Sequence, residues 1–270
     1  MGRGKIFGRA AGIVCWAGLV VGVLGCGGKG RESLSIAGST AFHPFCEKLA
    51  EAYMAQHPEA RIDVQGGGSS VGIQSALQGA AQIGMVYLVE LPPEAKVLAA
   101  TVVARDGVVV VVHPANTVSN LTTAQVRDIF AGTVRNWREV GGADAPINVV
   151  SREAGSGTRR SFEKIVGLAR LSDAALVQDS SGTIRETVAN DDRAIGYLSH
   201  GLVNERVKGL AIDGVASTIE ATIRGDYKLV RPVFFLVREP ASAATRDFIA
   251  YVLSPAGQAV IRQDGLIPAQ

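Results

Sequence analysis

The sequence predicts an α/β protein, because short β-rich runs alternate with helical periods throughout the chain after residue 32. Between the runs, apolar residues recur at the spacing of one helix face, for example at Phe45, Leu49 and Tyr53. Alternation of this kind favours parallel sheets covered by helices. The predicted strands span residues 33–36, 61–65, 82–86, 108–113, 147–151, 194–198, 208–212 and 232–238.

Both ends of one helix can be recognised in the sequence. Thr122 followed by Gln125 matches a capping box, in which each side chain accepts a hydrogen bond from the other residue's backbone. Nine helix-compatible residues separate Thr122 from Gly132, and glycine typically ends a helix.

Two uncharged strands suggest how the fold is divided. Residues 107–112 and 233–237 both match fully buried strands, and two lobes joined by two crossing hinge strands would use both. We therefore expect two lobes joined by two crossing hinge strands, with parallel-rich sheets flanked by helices. Lobe 1 would combine residues 33–107 and 231–270, and lobe 2 would contain residues 108–230.

The first residues have the features of a secretory signal. Arg3, Lys5 and Arg9 precede an uncharged, mostly apolar run at residues 10–24, which is too short for a membrane span. The run ends in Val23-Leu24-Gly25-Cys26, which resembles the lipobox of bacterial lipoproteins. We expect a signal peptide at residues 1–25, lipidation of Cys26 and a tether at residues 26–32. An ordinary secretory signal with an incidental cysteine is the alternative.

The charge and the cysteine and histidine content argue against several classes of binding partner and cofactor. Loss of residues 1–25 removes three basic residues and no acidic one, so the formal net charge of +2 becomes −1. No basic patch with interleaved aromatic residues remains, so we expect no nucleic-acid partner. Cys46 would be the one cysteine left in the folded part besides the anchor, and its helical context indicates a buried structural thiol. The four histidines lack metal-ligand spacing, and neither a metal nor a cofactor is expected.

A local pattern recurs four times, in which a strand-like run is followed by glycine, serine or threonine residues and then by a helical period. We number these segments turns 1 to 4: residues 38–41 (Gly-Ser-Thr-Ala), 66–70 (Gly-Gly-Gly-Ser-Ser), 155–158 (Gly-Ser-Gly-Thr) and 180–183 (Ser-Ser-Gly-Thr).

Such turns are suited to binding anions. The first N–H groups of a helix have no intrahelical acceptor and carry a partial positive charge, and hydroxyl groups add further donors. Arg152, just before turn 3, adds a guanidinium that makes charge-assisted bonds with oxyanions. Many neutral donors with one arginine match a tetrahedral oxyanion. The alternative is that each turn is an ordinary helix cap.

At these same residues the chain resembles the phosphate-binding subunit of high-affinity phosphate ABC importers, over about residues 33 to 268. Besides turns 1 to 3, the resemblance rests on four motifs: Ala81-Gln82-Ile83-Gly84-Met85, residues 129–142 from Ile-Phe-Ala-Gly to Asn-Trp-Arg-Glu-Val-Gly-Gly, Ala194-Ile195-Gly196-Tyr197, and Leu253-Ser254-Pro255-Ala256-Gly257-Gln258. The resemblance implies a two-lobed periplasmic-binding-protein fold of type II, which buries inorganic phosphate in its cleft and docks on the permease subunits. We expect a monomer held at the membrane, in the periplasm or at the cell surface, through Cys26.

The resemblance also implies which residues bind phosphate. Thr40, the backbone of Ala41, and Ser69 would act from lobe 1. A clamp of four residues would act from lobe 2. With Ser39, Ser70 and Tyr87, the full predicted set is Ser39, Thr40, Ala41, Ser69, Ser70, Tyr87, Arg152, Ser156, Gly157 and Thr158.

One position departs from the family pattern. After Gly84 the family commonly has small serines, and some members have an aspartate that accepts the phosphate proton, whereas this chain has Met85-Val86-Tyr87. An acceptor at this place distinguishes protonated phosphate from sulfate. Another tetrahedral oxyanion, such as sulfate or molybdate, therefore stays open as the ligand.

Two other functions compete with the binding protein. In a secreted hydrolase of phosphate esters Ser69 or Ser156 would be the nucleophile, but neither lies in a Gly-x-Ser-x-Gly motif, and the nucleotide-binding Gly-x-x-x-x-Gly-Lys-Ser/Thr loop is absent from the sequence. The chain is therefore not expected to be an enzyme. The second competitor is the extracellular sensing domain of a receptor, which would need a partner to signal.

Overall fold

The computed structural model describes residues 1–2 and 33–269. The predicted tether and lipidation site Cys26, and the predicted signal peptide beyond residue 2, lie outside these residues. Within the described part, no helix is long and apolar enough to cross a membrane.

Helices and strands alternate along most of the described chain, which confirms the α/β class. The strands are β1 (Ser33–Gly38), β2 (Arg61–Gln65), β3 (Ile83–Tyr87), β4 (Ala99–Val112), β5 (Asn120–Leu121), β6 (Asn148–Arg152), β7 (Leu176–Gln178), β8 (Ala194–Ser199), β9 (Lys208–Gly209), β10 (Ala211–Ile212), β11 (Val230–Val237) and β12 (Ile267–Pro268). The α-helices are α1 (His43–Gln56), α2 (Ser69–Gln78), α3 (Thr123–Ala131), α4 (Gly157–Val166), α5 (Ser181–Ala189), α6 (Ile219–Ile223), α7 (Ala243–Leu253) and α8 (Pro255–Gln263).

The main sheet is mixed. Its strand order is β2-β1-β3-β11-β4-β8-β6-β7, with β9 and β12 also pairing with β4. At one end β1 pairs in parallel with β2 and β3, and at the other end β6 pairs in parallel with β7 and β8. In the middle, β11 is antiparallel to both β3 and β4, and β4 is antiparallel to β8. The expected parallel pairing therefore holds in the two outer parts and is replaced by antiparallel pairing at the centre.

Strand β4 connects the two parts of the sheet. Its residues 99–107 pair with β11, while residues 108–112 pair with β8. All six residues from 107 to 112 are buried, as their uncharged sequence predicts. The observed strand begins nine residues earlier than predicted, because β11 supplies a hydrogen-bonding partner that lies far away in sequence.

Apolar cores lie on both sides of this crossing. The larger core of the first part draws on residues 34–104 and 233–266, including Phe42, Leu49 and Phe235. The larger core of the second part draws on residues 108–230, including Phe162 and Tyr197. The exact lobe boundaries remain a prediction.

Several local predictions are confirmed. The Thr122–Gln125 capping box is present, and α3 ends at Gly132, whose φ of 76° suits glycine. Cys46 is fully buried, as its helical context predicts. The predicted strand at 208–212 is instead two short strands, since β9 pairs with β4 whereas β10 pairs with β5.

Candidate functional site

All four turns connect a strand to a helix, as predicted. Turns 1 and 2 follow β1 and β2 and lead into α1 and α2. Turns 3 and 4 follow β6 and β7 and lead into α4 and α5. In open α/β sheets, ligands bind beyond the carboxyl ends of such strands.

Turn 1 presents donors without partners. Gly38 has a φ of 141°, and a side chain there would lie 2.2 Å from the carbonyl oxygen of Met85, so the turn needs glycine. Ser39 is buried, and its carbonyl accepts hydrogen bonds from the amides of Phe42 at 3.2 Å and His43 at 3.0 Å, which closes the turn. The Thr40 Oγ1 is buried and has no hydrogen-bond partner among the described residues. The backbone N–H groups of Thr40 and Ala41 likewise have no acceptor in that part of the chain.

Turn 2 is bonded to turn 1 and to turn 3. The Gly68 amide donates to the Gly38 carbonyl at 2.9 Å, and the Ser70 amide donates to the Gly155 carbonyl at 3.1 Å. Ser69 is 1% exposed, and its Oγ accepts a 3.0 Å hydrogen bond from the Tyr87 amide. The Ser69 hydroxyl proton remains free to donate.

Turn 3 opens helix α4 against the first part of the fold. Ser156 is the N-cap residue, and its Oγ accepts from the Arg159 amide at 3.2 Å. Gly157 and Thr158 form the first turn of the helix, where N–H groups have no intrahelical acceptor. Ser156, Gly157 and Thr158 are all buried. Turn 3 therefore adds amide and hydroxyl donors to those of turns 1 and 2.

Arg152 joins turn 3 to turn 4. Its side chain is almost fully buried, at 2% exposure. Its Nη1 donates to Ser181 Oγ at 3.0 Å, and its Nη2 donates to the Asp179 carbonyl at 3.1 Å. Beneath it, the Tyr197 hydroxyl accepts from the Arg152 amide at 3.2 Å and forms a 2.7 Å bond with Ser151 Oγ.

Glu153 was not among the predicted site residues. Its two carboxylate oxygens accept hydrogen bonds from Arg152 Nε at 2.8 Å and from Nη2 at 2.9 Å. The same carboxylate faces turn 2, because its Oε1 lies 3.1 Å from where a side chain on Gly68 would begin. An acidic residue directly after the arginine was the one sequence signal for this role.

Tyr87 contributes its backbone to the site and its ring to the core. The ring packs edge-on against Phe42, with centroids 5.8 Å apart, and Arg231 lies 4.1 Å above it. The hydroxyl is buried and makes no hydrogen bond within the described residues. Burial, with a further contribution from the Asp106 carboxylate, raises the pKa of Tyr87 well above its ordinary value. Whether its hydroxyl contacts a ligand stays a prediction.

A buried ion pair lies behind Tyr87 on the crossing strands. Arg231 of β11 donates from Nη2 to Asp106 of β4 at 3.2 Å, and both side chains are 0% exposed. Burial raises the pKa of Asp106, although Arg231 opposes this rise, and burial lowers the pKa of Arg231. The other oxygen of Asp106 accepts from the His200 amide at 3.1 Å. Asp106 therefore connects β11 to the end of β8.

A pocket of about 400 Å³ opens beside turns 1 and 4. It is lined by residues of both parts of the fold: Thr40, His43, Pro44, Gly66, Ser180, Ser181, Gly182, Arg185 and Leu202. In residues 1–2 and 33–269, no group of three His, Cys, Asp or Glu side chains is placed to hold a metal ion.

The predicted site residues thus lie in one region. Tyr87 has its backbone in this region, whereas its ring packs in the core. Turn 2 contacts turns 1 and 3, and Arg152 contacts turn 4. Trp137 lies outside this region, where it is buried and donates from its ring N–H to the Arg193 carbonyl at 3.0 Å.

Comparison with known proteins finds relatives that are solute-binding proteins. The family model of the PBP superfamily domain matches residues 27–256. The chain is 33% identical over 245 residues to the phosphate-binding protein PstS of Bacillus subtilis, covering 89% of this chain and 82% of that protein.

Two crystal structures are similar over almost the whole described chain. One is a phosphate ABC transporter substrate-binding protein of Clostridium perfringens with bound phosphate, with a TM-score of 0.87 and 37% identity over 88% of this chain and 100% of that one. The other is an ABC-type phosphate transport receptor of Vibrio cholerae, with a TM-score of 0.74 and 36% identity over 87% of this chain and 99% of that one.

Proposed function

Because this chain belongs to the PBP superfamily, and within it to the family of phosphate-binding proteins of ABC importers, we propose that it captures inorganic phosphate and delivers it to an importer. Phosphate would bind between turns 1, 2 and 3, held by backbone amides, hydroxyl groups and Arg152. Members of this family are solute-binding proteins outside the cytoplasmic membrane, and the proposed activity is binding and release without chemical change.

The direct contact between turns 2 and 3 is the observation that best supports this proposal. These turns belong to different parts of the fold, yet the Ser70 amide donates to the Gly155 carbonyl, and Gly157 lies against Ser69. An anion bound next to this contact would be surrounded by donors from both parts of the fold and dehydrated. Hydrogen bonds to a charged group are worth roughly 1.5–3 kcal/mol each, so a handful suffices for the roughly −8 kcal/mol of micromolar binding.

The carboxylate beside the Arg152 guanidinium favours binding of phosphate over binding of sulfate. Arg152 precedes turn 3, and Glu153 neutralises part of its charge by accepting two hydrogen bonds from its guanidinium. A carboxylate beside the site repels a fully ionised anion and accepts a hydrogen bond from a protonated one. Hydrogen phosphate carries such a proton at neutral pH, whereas sulfate does not.

Calorimetric titration of the purified protein with phosphate, sulfate, arsenate and molybdate tests the ligand. We expect tight binding of phosphate, with arsenate second. Heat with sulfate and none with phosphate would assign the protein to another importer class. Release of phosphate from an ester substrate would support the hydrolase instead.

Arg152→Ala tests the position of the site. Loss of the guanidinium is expected to weaken phosphate binding by at least a hundredfold, because a buried charged donor is removed. Arg170→Ala is the matched control, since Arg170 is 79% exposed and pairs with Asp173 on the surface. Full affinity in Arg152→Ala would show that the anion binds elsewhere.

We further propose that Cys26 carries the lipid anchor and that the protein acts as a monomer. The support is the signal-like sequence before Cys26 and the small residue Gly25 directly preceding it. Cys26→Ser should move the protein from the membrane fraction to the soluble fraction of cells, while Cys46→Ser should not. Size-exclusion chromatography with light scattering would measure the mass of the soluble form.

A further inference from the structure

The pocket beside turns 1 and 4 borders the proposed phosphate site. It shares Thr40 with that site, and it shares Ser181 with the hydrogen-bond network of Arg152. The pocket holds about 400 Å³. One water molecule takes up about 30 Å³ in the liquid. The pocket is therefore several times larger than a water site and has room for a small polyatomic anion.

Arg185 supplies a second positive charge to the wall of this pocket. It lies four residues after Ser181, about 6 Å further along α5 and on the same helix face. The amides of Ser181 and Gly182, also in the wall, belong to the first turn of α5 and have no intrahelical acceptor.

The Arg185 guanidinium is only weakly engaged. Its Nη1 donates to the Leu202 carbonyl at 3.4 Å, near the limit for a hydrogen bond. Its Nε is buried, makes no hydrogen bond within the described part of the chain, and lies 3.6 Å from Glu186 Oε1. The other carboxylate oxygen of Glu186 is bound by Arg206. Arg185 thus has hydrogen-bonding capacity left for a further anionic partner.

We propose that this pocket is a second anion subsite, which lets the protein bind phosphates that carry a further short anionic group, with pyrophosphate as the simplest member. One phosphoryl group would occupy the site between turns 1, 2 and 3. The second would lie beyond Thr40, bonded by Arg185 and by the first-turn amides of α5. This inference rests on the proposed phosphate function.

Titration of the purified protein with phosphate and with pyrophosphate tests the subsite. The wild-type protein should bind both. Arg185→Gln should weaken pyrophosphate binding at least tenfold and change phosphate binding less than twofold. Arg170→Gln, on the exposed surface, is the matched control and should change neither affinity.

The outcomes separate the two proposals. Phosphate binding without pyrophosphate binding overturns the subsite and leaves the phosphate function intact. Failure to bind phosphate at all overturns the proposed function itself. Equal weakening of both ligands in Arg185→Gln would mean that Arg185 supports the fold of turn 4, and the subsite assignment would then be wrong. A thermal unfolding curve of this variant shows whether it folds.

Discussion

Gly157 of helix α4 lies so close to Ser69 of helix α2 that no side chain fits between them. A Cβ at position 157 would lie 2.1 Å from Ser69 Oγ and 2.1 Å from the Tyr87 carbonyl oxygen. Contacts between real Cβ atoms and other heavy atoms are much longer, so the approach of the two parts of the fold requires glycine here. The approach also places the first-turn amides of α4 beside the Ser69 hydroxyl.

Gly157→Ala should therefore prevent this approach. The added methyl group meets backbone on one side, which cannot rotate away, so the two parts are expected to stay separated even with ligand present. Phosphate affinity should fall at least a hundredfold. Small-angle scattering would show no phosphate-dependent decrease in the radius of gyration, in contrast to the wild-type protein.

Gly155→Ala is the matched control for this substitution. A Cβ there would lie 3.7 Å from the Ser70 Cβ, an ordinary contact distance. The same turn would thus carry an added methyl group without a clash. If Gly155→Ala and Gly157→Ala weakened binding equally, the effect would come from turn 3 itself and not from the contact with Ser69.

The ion pair between Asp106 and Arg231 should show strong coupling in a double-mutant cycle. Removing either partner leaves the other charge buried without compensation, which typically costs about 3–5 kcal/mol. Asp106→Asn and Arg231→Met are each expected to lower the free energy of unfolding by about that amount. The double variant should lose clearly less than the sum, as measured by urea denaturation. Additive losses would mean that the two residues act independently.

Tyr87→Phe separates the packing role of this residue from a role in ligand binding. The phenyl ring keeps the contacts with Phe42 and Arg231, and the substitution removes a buried hydroxyl that has no hydrogen bond in the described residues. We expect unchanged or slightly higher stability and a phosphate affinity within twofold of wild type. A tenfold weaker affinity by calorimetry would instead place the Tyr87 hydroxyl on the ligand.

Tyr197→Phe should change both stability and its dependence on pH. The substitution leaves the Arg152 amide without its acceptor, which costs about 1–3 kcal/mol. Burial raises the pKa of Tyr197 to about 12. The unfolded chain therefore loses this proton at lower pH than the folded protein, so Tyr197 contributes stability below about pH 10 that is lost as pH rises towards 12.

The wild-type free energy of unfolding should accordingly fall more steeply between pH 10 and pH 12 than that of Tyr197→Phe. Denaturation at several pH values in this range measures both slopes. Parallel curves would show that Tyr197 ionises normally in the folded protein.

Local sequence patterns predicted most of the secondary structure near the site. Turn residues and caps act on their own neighbours, so the four strand-to-helix turns and the Thr122 capping box could be recognised without tertiary information. Turn 4 implied a strand-like run before it, but the range of β7 was not among the predicted strands. Two of its three residues are exposed, and its pairing with β6 gives no signal in its own composition. Glu153 was missed because its contact with Arg152 depends on the two side-chain conformations.

The sequence by itself determined the α/β class, the helix starts that expose unpaired amides, and the family to which the chain belongs, since all of these depend on residues near one another in the chain or on ordered motifs. Only the tertiary structure decided that Ser69 meets Gly157, that Arg152 bonds Ser181, and that Asp106 pairs with Arg231, 125 residues away. The physical reason is that each contact joins segments far apart in the chain. Pairing of β4 with β11 places Asp106 opposite Arg231, pairing of β6 with β7 brings Arg152 towards the start of α5, and the packing of α4 against α2 places Gly157 at Ser69.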